Sequence, residues 1–85
     1  MQVVKRDGKV VDFDQSKIRI AIEKANKEVK PKERATKEEI NQIIEYVEDI
    51  DKKRILVEDI QDIIEEQLMS FGKHALAKKY ITYRY

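Results

Sequence analysis

A tight turn at Asp7-Gly8 constrains the fold of this chain more than any other feature of its sequence. The segments on either side, Gln2–Arg6 and Lys9–Phe13, contain several Val residues that alternate with polar ones, which predicts two short antiparallel strands. Asp-Gly between two such strands is typical of a type I′ turn, in which both central residues have φ > 0. Because an isolated hairpin is barely stable in water, the rest of the chain must provide a surface on which it packs.

Helical periodicity follows the hairpin almost to the end of the chain. Asp14 is predicted as the N-cap of a first helix, and residues 36–39 (Thr-Lys-Glu-Glu) form a capping box that begins a second. Glu58 and Asp59 begin a third helix, Gly72 ends it, and a fourth follows directly. The predicted apolar faces are Ile18, Ala21, Ile22, Ala25 and Val29; Ile40, Ile43, Ile44, Val47 and Ile50; Ile60, Ile63, Ile64 and Leu68; and Leu76, Ala77, Tyr80, Ile81 and Tyr83.

A short third strand is predicted at Ile55-Leu56-Val57, whose β-branched residues favour its addition to the hairpin. The fold class that follows is α+β and mainly helical: an N-terminal β-hairpin, with this third strand, covered by a four-helix bundle. A chain of 85 residues is too short for two independent cores. We therefore expect one domain over residues 1–85.

Charge and cysteine content exclude several classes of function. The 18 Lys and Arg residues are nearly balanced by 17 Asp and Glu, and a net charge of +1 argues against a general nucleic-acid-binding surface. The chain has no cysteine, which excludes disulfides, thiol chemistry and cysteine-ligated zinc. Its apolar runs are only a few residues long, which predicts neither a membrane span nor a signal peptide, and hence a cytoplasmic location.

Few side chains are candidates for catalysis. The single histidine, His74, lies beside a predicted helix start, where a solvated or capping role is more common than that of a general base. Most Asp and Glu residues fall on helix faces opposite the apolar ones. Asp49, Asp51 and Glu58 lack the glycine and the ligand spacing of a calcium loop. We therefore expect no catalytic residue and no metal site made of protein side chains.

The hairpin and the helix after it carry an unusual concentration of cations. Lys5, Arg6 and Lys9 surround the turn, and Lys17 and Arg19 fall near the N-terminus of the first predicted helix. A cation there opposes the helix dipole, at a cost of about 0.3–1 kcal/mol when exposed. A bound polyphosphate would reverse this penalty, since helix N–H groups, Lys and Arg all bind phosphate oxygens. Cations that protect edge strands from aggregation are an equally good interpretation, and residue spacing alone leaves both open.

Three segments of the chain resemble the ATP-cone domain family, in the order and at the spacing of that family. Val4-Lys5-Arg6-Asp7-Gly8, followed by Phe13-Asp14 and Lys17-Ile18, resembles the opening of the domain. Residues 55–62 resemble its entry into the third helix, and residues 75–84 resemble its closing helix. The resemblance covers essentially the whole chain.

The resemblance implies an allosteric regulatory domain that binds ATP or dATP as effector. Such a domain usually lies at the N-terminus of a ribonucleotide reductase, where exchange of the two nucleotides switches overall activity through conformation or oligomerisation. It also implies an Mg²⁺ ion that bridges the phosphates. The implied partners are the catalytic domain or subunits of the parent enzyme. Formation of a homo-oligomer is a further possibility. The other host of the family, a zinc-ribbon repressor, needs cysteines before the domain and is disfavoured here.

The resemblance assigns phosphate binding to the hairpin and the first helix. The segment of residues 4–8 matches the lid over the phosphates, and Lys17 and Ile18 match helix-start residues that meet the nucleotide. We therefore expect Arg6 and Lys17 on opposite sides of one triphosphate.

The rest of the nucleotide is assigned to the third and fourth helices. Val57 matches the third-helix entry, near the base or ribose, and Tyr80 and Tyr83 match closing-helix positions near the pocket. The spacing of the two tyrosines fits core packing equally well. The implied nucleotide-binding residues are Val4, Lys5, Arg6, Asp7, Gly8, Lys17, Ile18, Val57, Tyr80 and Tyr83.

Two alternative functions compete with a nucleotide sensor. The first is a free-standing nucleic-acid-binding module that uses the basic hairpin; it predicts salt-dependent binding of an oligonucleotide, and the near-neutral net charge disfavours it. The second is a structural protein-interaction module in which the hairpin cations only prevent aggregation. It predicts no ligand, and replacement of Lys17 by Glu should then stabilise the helix rather than abolish function.

Overall fold

The chain folds into a small sheet and four helices, as its α+β, mainly helical class predicts. The computed structural model describes residues 1–83; Arg84, the last residue of the closing segment, lies outside them. In chain order the elements are β1 (Gln2–Val4), β2 (Val10–Asp12), α1 (Gln15–Asn26), a 3₁₀ turn (Pro31–Glu33), α2 (Lys37–Glu48), β3 (Arg54–Leu56), α3 (Val57–Ser70) and α4 (His74–Tyr80).

The central strand of the sheet is β1, in the order β2-β1-β3. It pairs antiparallel with β2 and parallel with β3, with Val4 opposite Leu56. The predicted third strand is therefore confirmed, but it lies one residue earlier: Arg54 joins it, and Val57 begins α3 instead. Because β1 and β3 are parallel, the residues that follow each strand leave the sheet side by side.

The prediction of a type I′ turn is wrong, because only one residue of the turn has a positive φ. That residue is Gly8, at 86°, and within residues 1–83 no residue other than glycine has positive φ. The Gly8 N–H donates to the Lys5 carbonyl at 2.9 Å, and the Lys5 N–H donates to the Lys9 carbonyl at 2.8 Å. This is the pattern of a type I turn followed by a glycine bulge. Glycine takes the left-handed position, which is costly for Asp7. The paired strands, Gln2–Val4 and Val10–Asp12, are three residues each and therefore shorter than predicted.

The predicted helix caps are present. Asp14 accepts the Ser16 N–H at 3.0 Å and begins α1. In the capping box of α2, the Glu39 N–H donates to Thr36 Oγ1 at 3.1 Å, and the Thr36 N–H donates to Glu39 Oε1 at 2.8 Å. Gly72 has a φ of 76° and ends α3 in the left-handed conformation common after helices. These caps explain why the helix starts are predictable from short sequence motifs.

Replacing Thr36 by Ala is expected to lower the free energy of unfolding by about 1 kcal/mol, because the side-chain acceptor of the capping box is lost. Urea denaturation followed by circular dichroism measures this difference. Thr36→Ser keeps the hydroxyl group and is the matched control, with a midpoint near that of the wild type. An unchanged midpoint for Thr36→Ala would show that the capping box does not stabilise α2.

The core lies between the four helices and one face of the sheet. The predicted apolar faces are mostly buried. Val29, Ile50 and Tyr83, at the ends of their faces, and Ile63, within α3, are only half-buried. Ile81 is exposed because α4 ends at Tyr80, earlier than its predicted face. The largest fully buried side chains are Ile22, Ile43, Val47, Ile64, Leu68 and Leu76. Helix α4 packs against both α1 and α3, which brings the end of the described chain back to the N-terminal elements.

Candidate functional site

Two adjoining clefts lie between the hairpin and the helices. The larger cleft has a volume of about 410 Å³ and is lined by the hairpin, by the starts of α1 and α3, and by the end of the described chain. The smaller cleft, about 240 Å³, lies between the turn and the start of α3. Lys5, Val57 and Gln61 line both clefts, so the two are parts of one site. The larger volume lies within the range of small-molecule pockets, roughly 300–1,000 Å³.

Most of the predicted site residues line this site. Those that line at least one cleft are Lys5, Arg6, Asp7, Lys17, Ile18, Val57, Tyr80 and Tyr83. Val4 and Gly8 line neither cleft. Val4 pairs with both neighbouring strands, and Gly8 closes the turn, so both residues shape the hairpin through backbone hydrogen bonds.

The parallel pairing of β1 and β3 explains why the hairpin lies beside α3. The two strands end opposite each other, at Val4 and Leu56. Two residues beyond these ends, Arg6 Nε lies 3.2 Å from Glu58 Oε1. The hairpin turn and the first turn of α3 are therefore joined by an ion pair at the smaller cleft, which Arg6 lines.

Two of the cations that the sequence groups with the hairpin lie away from the clefts. Lys9 directly follows Gly8 and lines neither of them. The Arg19 Nη2 group donates to Asn41 Oδ1 of α2 at 2.6 Å. Arg19 lies two positions after Lys17 and therefore about 200° further round the helix, which turns it away from the clefts.

The cations of the larger cleft come from two elements. Lys5 belongs to the hairpin, whereas Lys17 and Lys24 project from α1. Lys24 lies seven residues after Lys17, which is close to two full helical turns and places both on the same face. Sequence reasoning missed Lys24, although this spacing is a signal that could have identified it.

Two acidic side chains of the site bind backbone N–H groups. Asp7 Oδ1 accepts the Lys9 N–H at 3.0 Å. Asp14 Oδ1 accepts the Ser16 hydroxyl at 2.6 Å and the Ser16 N–H at 3.0 Å. These hydrogen bonds lower the pKa of Asp14, the one from the Ser16 hydroxyl more than the one from the Ser16 N–H. The positive charge of Lys17 lowers this pKa further. Both carboxylates thus stabilise the turn and the helix start that carry the cations.

The lowered pKa predicts that Asp14 contributes to stability in a pH-dependent way. Between its folded and unfolded pKa values the unfolded state binds more protons, so stability falls as pH falls. The contribution is complete above the ordinary pKa of an aspartate and is lost as pH falls through the lowered value. Asp14→Asn keeps a capping acceptor but does not titrate. Urea denaturation from neutral to strongly acidic pH should show a larger loss for the wild type; equal losses would contradict the prediction.

Gln61 is a cleft residue that sequence reasoning missed. Its side chain is 5% exposed, and it is the only buried polar side chain among residues 1–83. It lies in α3, four residues after Val57 and therefore on the same helical face. The available signal was that spacing, which places an amide beside a predicted nucleotide contact. Its position in both clefts makes Gln61 a candidate for ligand contact.

Both predicted roles of the tyrosines are compatible with their positions. Tyr80 is 2% exposed and belongs to the core, yet it also lines the larger cleft together with Ile64. Tyr83 is half-buried against the core and lines the same cleft, and its hydroxyl donates to the carboxylate of Glu28. Packing therefore fixes these rings where they form part of the cleft wall.

The described residues also bear on metals and membranes. Within residues 1–83, no group of three or more His, Cys, Asp and Glu side chains is arranged to hold a metal ion. In the same part of the chain, every helix is too short or too polar to cross a membrane.

The cationic hairpin belongs to a three-stranded sheet and, with the helices, forms the cleft. This arrangement defines a small α+β domain with a candidate binding site. The model of the ATP cone domain family matches residues 1–85, so the chain belongs to that family. Membership of the family implies that the ligand is a nucleotide effector.

The chain is similar to parts of several ribonucleotide reductases. It is 42% identical over 95 residues to the ribonucleoside-diphosphate reductase subunit alpha of Chlamydia trachomatis, covering 99% of this chain and 9% of that protein. It is 43% identical over 90 residues to the vitamin B12-dependent ribonucleoside-diphosphate reductase of Thermoplasma acidophilum, covering 98% and 11%. The chain therefore spans about a tenth of the length of these relatives.

Proposed function

We propose that residues 1–85 form an allosteric domain that binds ATP or dATP between the hairpin and the helices. The observation that carries this proposal is the position of the cations. Lys5 and Arg6 of the hairpin, and Lys17 near the N-terminus of α1, line one continuous site in a member of the ATP cone family. Cationic side chains and helix N–H groups are the usual ligands of phosphate oxygens.

The triphosphate is assigned to the hairpin end of the site, between Arg6 and Lys17, with Lys5 beside it. The backbone of Val4–Gly8 shapes the lid, and Asp7 holds the turn. An Mg²⁺ ion in this proposal is bound by the phosphates and by water, not by protein carboxylates. In nucleotide sites, Mg²⁺ is commonly bound by phosphate oxygens and retains several water ligands.

The base and ribose are assigned to the apolar part of the larger cleft. Core residues line this part, and among the described residues the amide of Gln61 is its single buried polar side chain. Such a mixture of apolar walls and few polar groups is typical of small-molecule sites. The residues proposed to line it are Ile18, Val57, Gln61, Tyr80 and Tyr83.

The relatives suggest that the parent protein is a ribonucleotide reductase, whose catalytic domain or subunits are the partners of this domain. The domain itself performs no catalysis in this proposal. A ligand shifts a conformational or oligomeric equilibrium only by its differential affinity for the two states. We therefore propose that ATP and dATP order the hairpin and the start of α1 differently, and that the outer helix surfaces transmit this difference.

Calorimetric titration of the folded domain with ATP, and then with dATP, tests the binding proposal. We expect saturable heat with a dissociation constant in the micromolar range, and tighter binding with Mg²⁺ present. A sample that is folded by circular dichroism but releases no heat at millimolar ATP would overturn the proposal. Sedimentation of the complete reductase with each nucleotide tests the regulatory part, which identical profiles would contradict.

A further inference from the structure

We propose that Glu58 competes with the phosphates of the nucleotide for Arg6, and thereby sets the affinity of the site. The inference rests on the proposed nucleotide function and adds a regulatory residue to it. The sequence did not identify Glu58 as a nucleotide contact, although Glu58 lies at the predicted start of α3, within the segment of residues 55–62.

The ion pair joins the two walls of the smaller cleft. One wall is the turn, with Lys5, Arg6 and Asp7, and the other is the start of α3, with Val57 and Gln61. Arg6 Nε lies 3.2 Å from Glu58 Oε1, so the pair connects the hairpin to α3 beside this cleft.

The register of the sheet brings Arg6 and Glu58 close together. Parallel pairing places the ends of β1 and β3 opposite each other, and Arg6 and Glu58 each lie two residues beyond those ends. The pair therefore depends on the backbone of two strands and not only on two long side chains.

A carboxylate and a phosphate offer the same kind of oxygen to a guanidinium group. A phosphate that takes the Arg6 donors must therefore displace Glu58 from Nε or share the guanidinium with it. The charge of Glu58 also repels an approaching triphosphate. Both effects lower affinity, and removal of the charge relieves both.

The exposure of the pair sets the size of the expected effect. The side chain of Arg6 is 52% exposed and that of Glu58 is 62% exposed, so solvent screens their attraction. Glu58 is thus a weak competitor, which lowers affinity without blocking the site. We expect Glu58→Gln to tighten ATP binding roughly three- to tenfold at low ionic strength, and less at high salt.

Asp59 provides a matched control. It lies in the same first turn of α3 and has the same charge, and no ion pair joins it to Arg6 among the described contacts. Asp59→Asn removes one negative charge from the helix N-terminus, as Glu58→Gln does. A difference between the two variants therefore reports the contact with Arg6, and not the general field of α3.

The experiment is a calorimetric titration of ATP with Mg²⁺ into the wild type, Glu58→Gln and Asp59→Asn, each checked for folding by urea denaturation. We expect Glu58→Gln to bind three- to tenfold more tightly, and Asp59→Asn to stay within about twofold of the wild type. In an Arg6→Ala background the gain from Glu58→Gln should shrink. Equal gains from both variants, or no gain from Glu58→Gln, would overturn the inference.

The outcomes also separate this inference from the proposed function. A folded wild type that binds ATP, together with a Glu58→Gln variant of unchanged affinity, overturns the role of Glu58 alone. A wild type and a Glu58→Gln variant that are both folded and both fail to bind ATP overturn the nucleotide function and this inference with it.

Discussion

Replacing Arg6 by Ala is expected to weaken ATP binding roughly ten- to a hundredfold. Hydrogen bonds to charged groups contribute about 1.5–3 kcal/mol each, and a factor of ten in affinity corresponds to about 1.4 kcal/mol. Arg6 lines the smaller cleft and is assigned to the triphosphate, so its loss removes such bonds. In the wild type, Arg6 must give up part of its ion pair with Glu58 to bind phosphate, so its net contribution to ATP affinity is smaller. The expected loss on replacement by Ala is therefore nearer to tenfold. Calorimetric titration with ATP measures it.

Arg19→Ala is the matched control for this loss. It removes the same charged group, but the Arg19 guanidinium lies against Asn41 of α2, away from the clefts. We expect its ATP affinity to stay within about twofold of the wild type, as for other exposed charges. Equal weakening by Arg6→Ala and Arg19→Ala would show that net charge governs binding, and would contradict a defined phosphate site at the hairpin.

Lys17→Glu separates nucleotide binding from the structural alternative. An acidic residue near the N-terminus of α1 favours the helix dipole, so stability should rise by about 0.3–1 kcal/mol. The same change places a negative charge in the larger cleft and should abolish ATP binding. Affinity and stability then change in opposite directions, which loss of folding cannot produce. Unchanged ATP affinity in this variant would contradict the assignment of Lys17 to the triphosphate. Failure of both the folded wild type and the folded variant to bind ATP would favour a module whose cations only protect the hairpin.

Replacing Leu68 by Ala is expected to lower the free energy of unfolding by about 2–5 kcal/mol, through the lost burial and the cavity left behind. The Leu68 side chain in α3 is fully buried, with an exposed fraction of 0%. Small domains unfold with only about 5–15 kcal/mol in total, so the change is a large part of the stability. Urea denaturation followed by circular dichroism measures the difference.

Met69→Ala is the control for the core substitution, because it affects the next residue of the same helix. The Met69 side chain is 44% exposed, and its truncation should change the free energy of unfolding by less than about 0.5 kcal/mol. Similar losses from Leu68→Ala and Met69→Ala would contradict the assigned burial of α3. The pair compares burial at nearly constant helix propensity, since Leu and Met are similar in that respect.

The helices were predictable because their signals are local. Asp14 and Thr36 each form a hydrogen bond within three residues of their own position, and Gly72 ends α3 through its own φ. The apolar faces follow from the 3.6-residue period, which is a property of the helix itself. The turn type was predicted wrongly, because Asp-Gly fits both a type I′ turn and a type I turn with a bulge, and the strand pairing decides between them.

The candidate site was only partly predictable, because its clefts lie between elements that are distant in the sequence. Family resemblance identified Lys5, Arg6 and Lys17, which line it. Gln61 was missed because its spacing of four from Val57 indicates only a shared helical face, whereas its burial depends on how α3 packs against elements distant in the sequence. Arg19 was counted with the cations near the hairpin because it is close to Lys17 in sequence, although the helix turns it toward α2.

The sequence by itself determined the order of the elements, the helix starts, the apolar faces and the cationic character of the hairpin. These depend on hydrogen bonds and periodicities that span a few residues. Only the tertiary structure decided which cations reach the clefts, and that Arg6 pairs with Glu58. The reason is that β1 and β3 are remote in the sequence, and their parallel register alone brings the turn beside the start of α3.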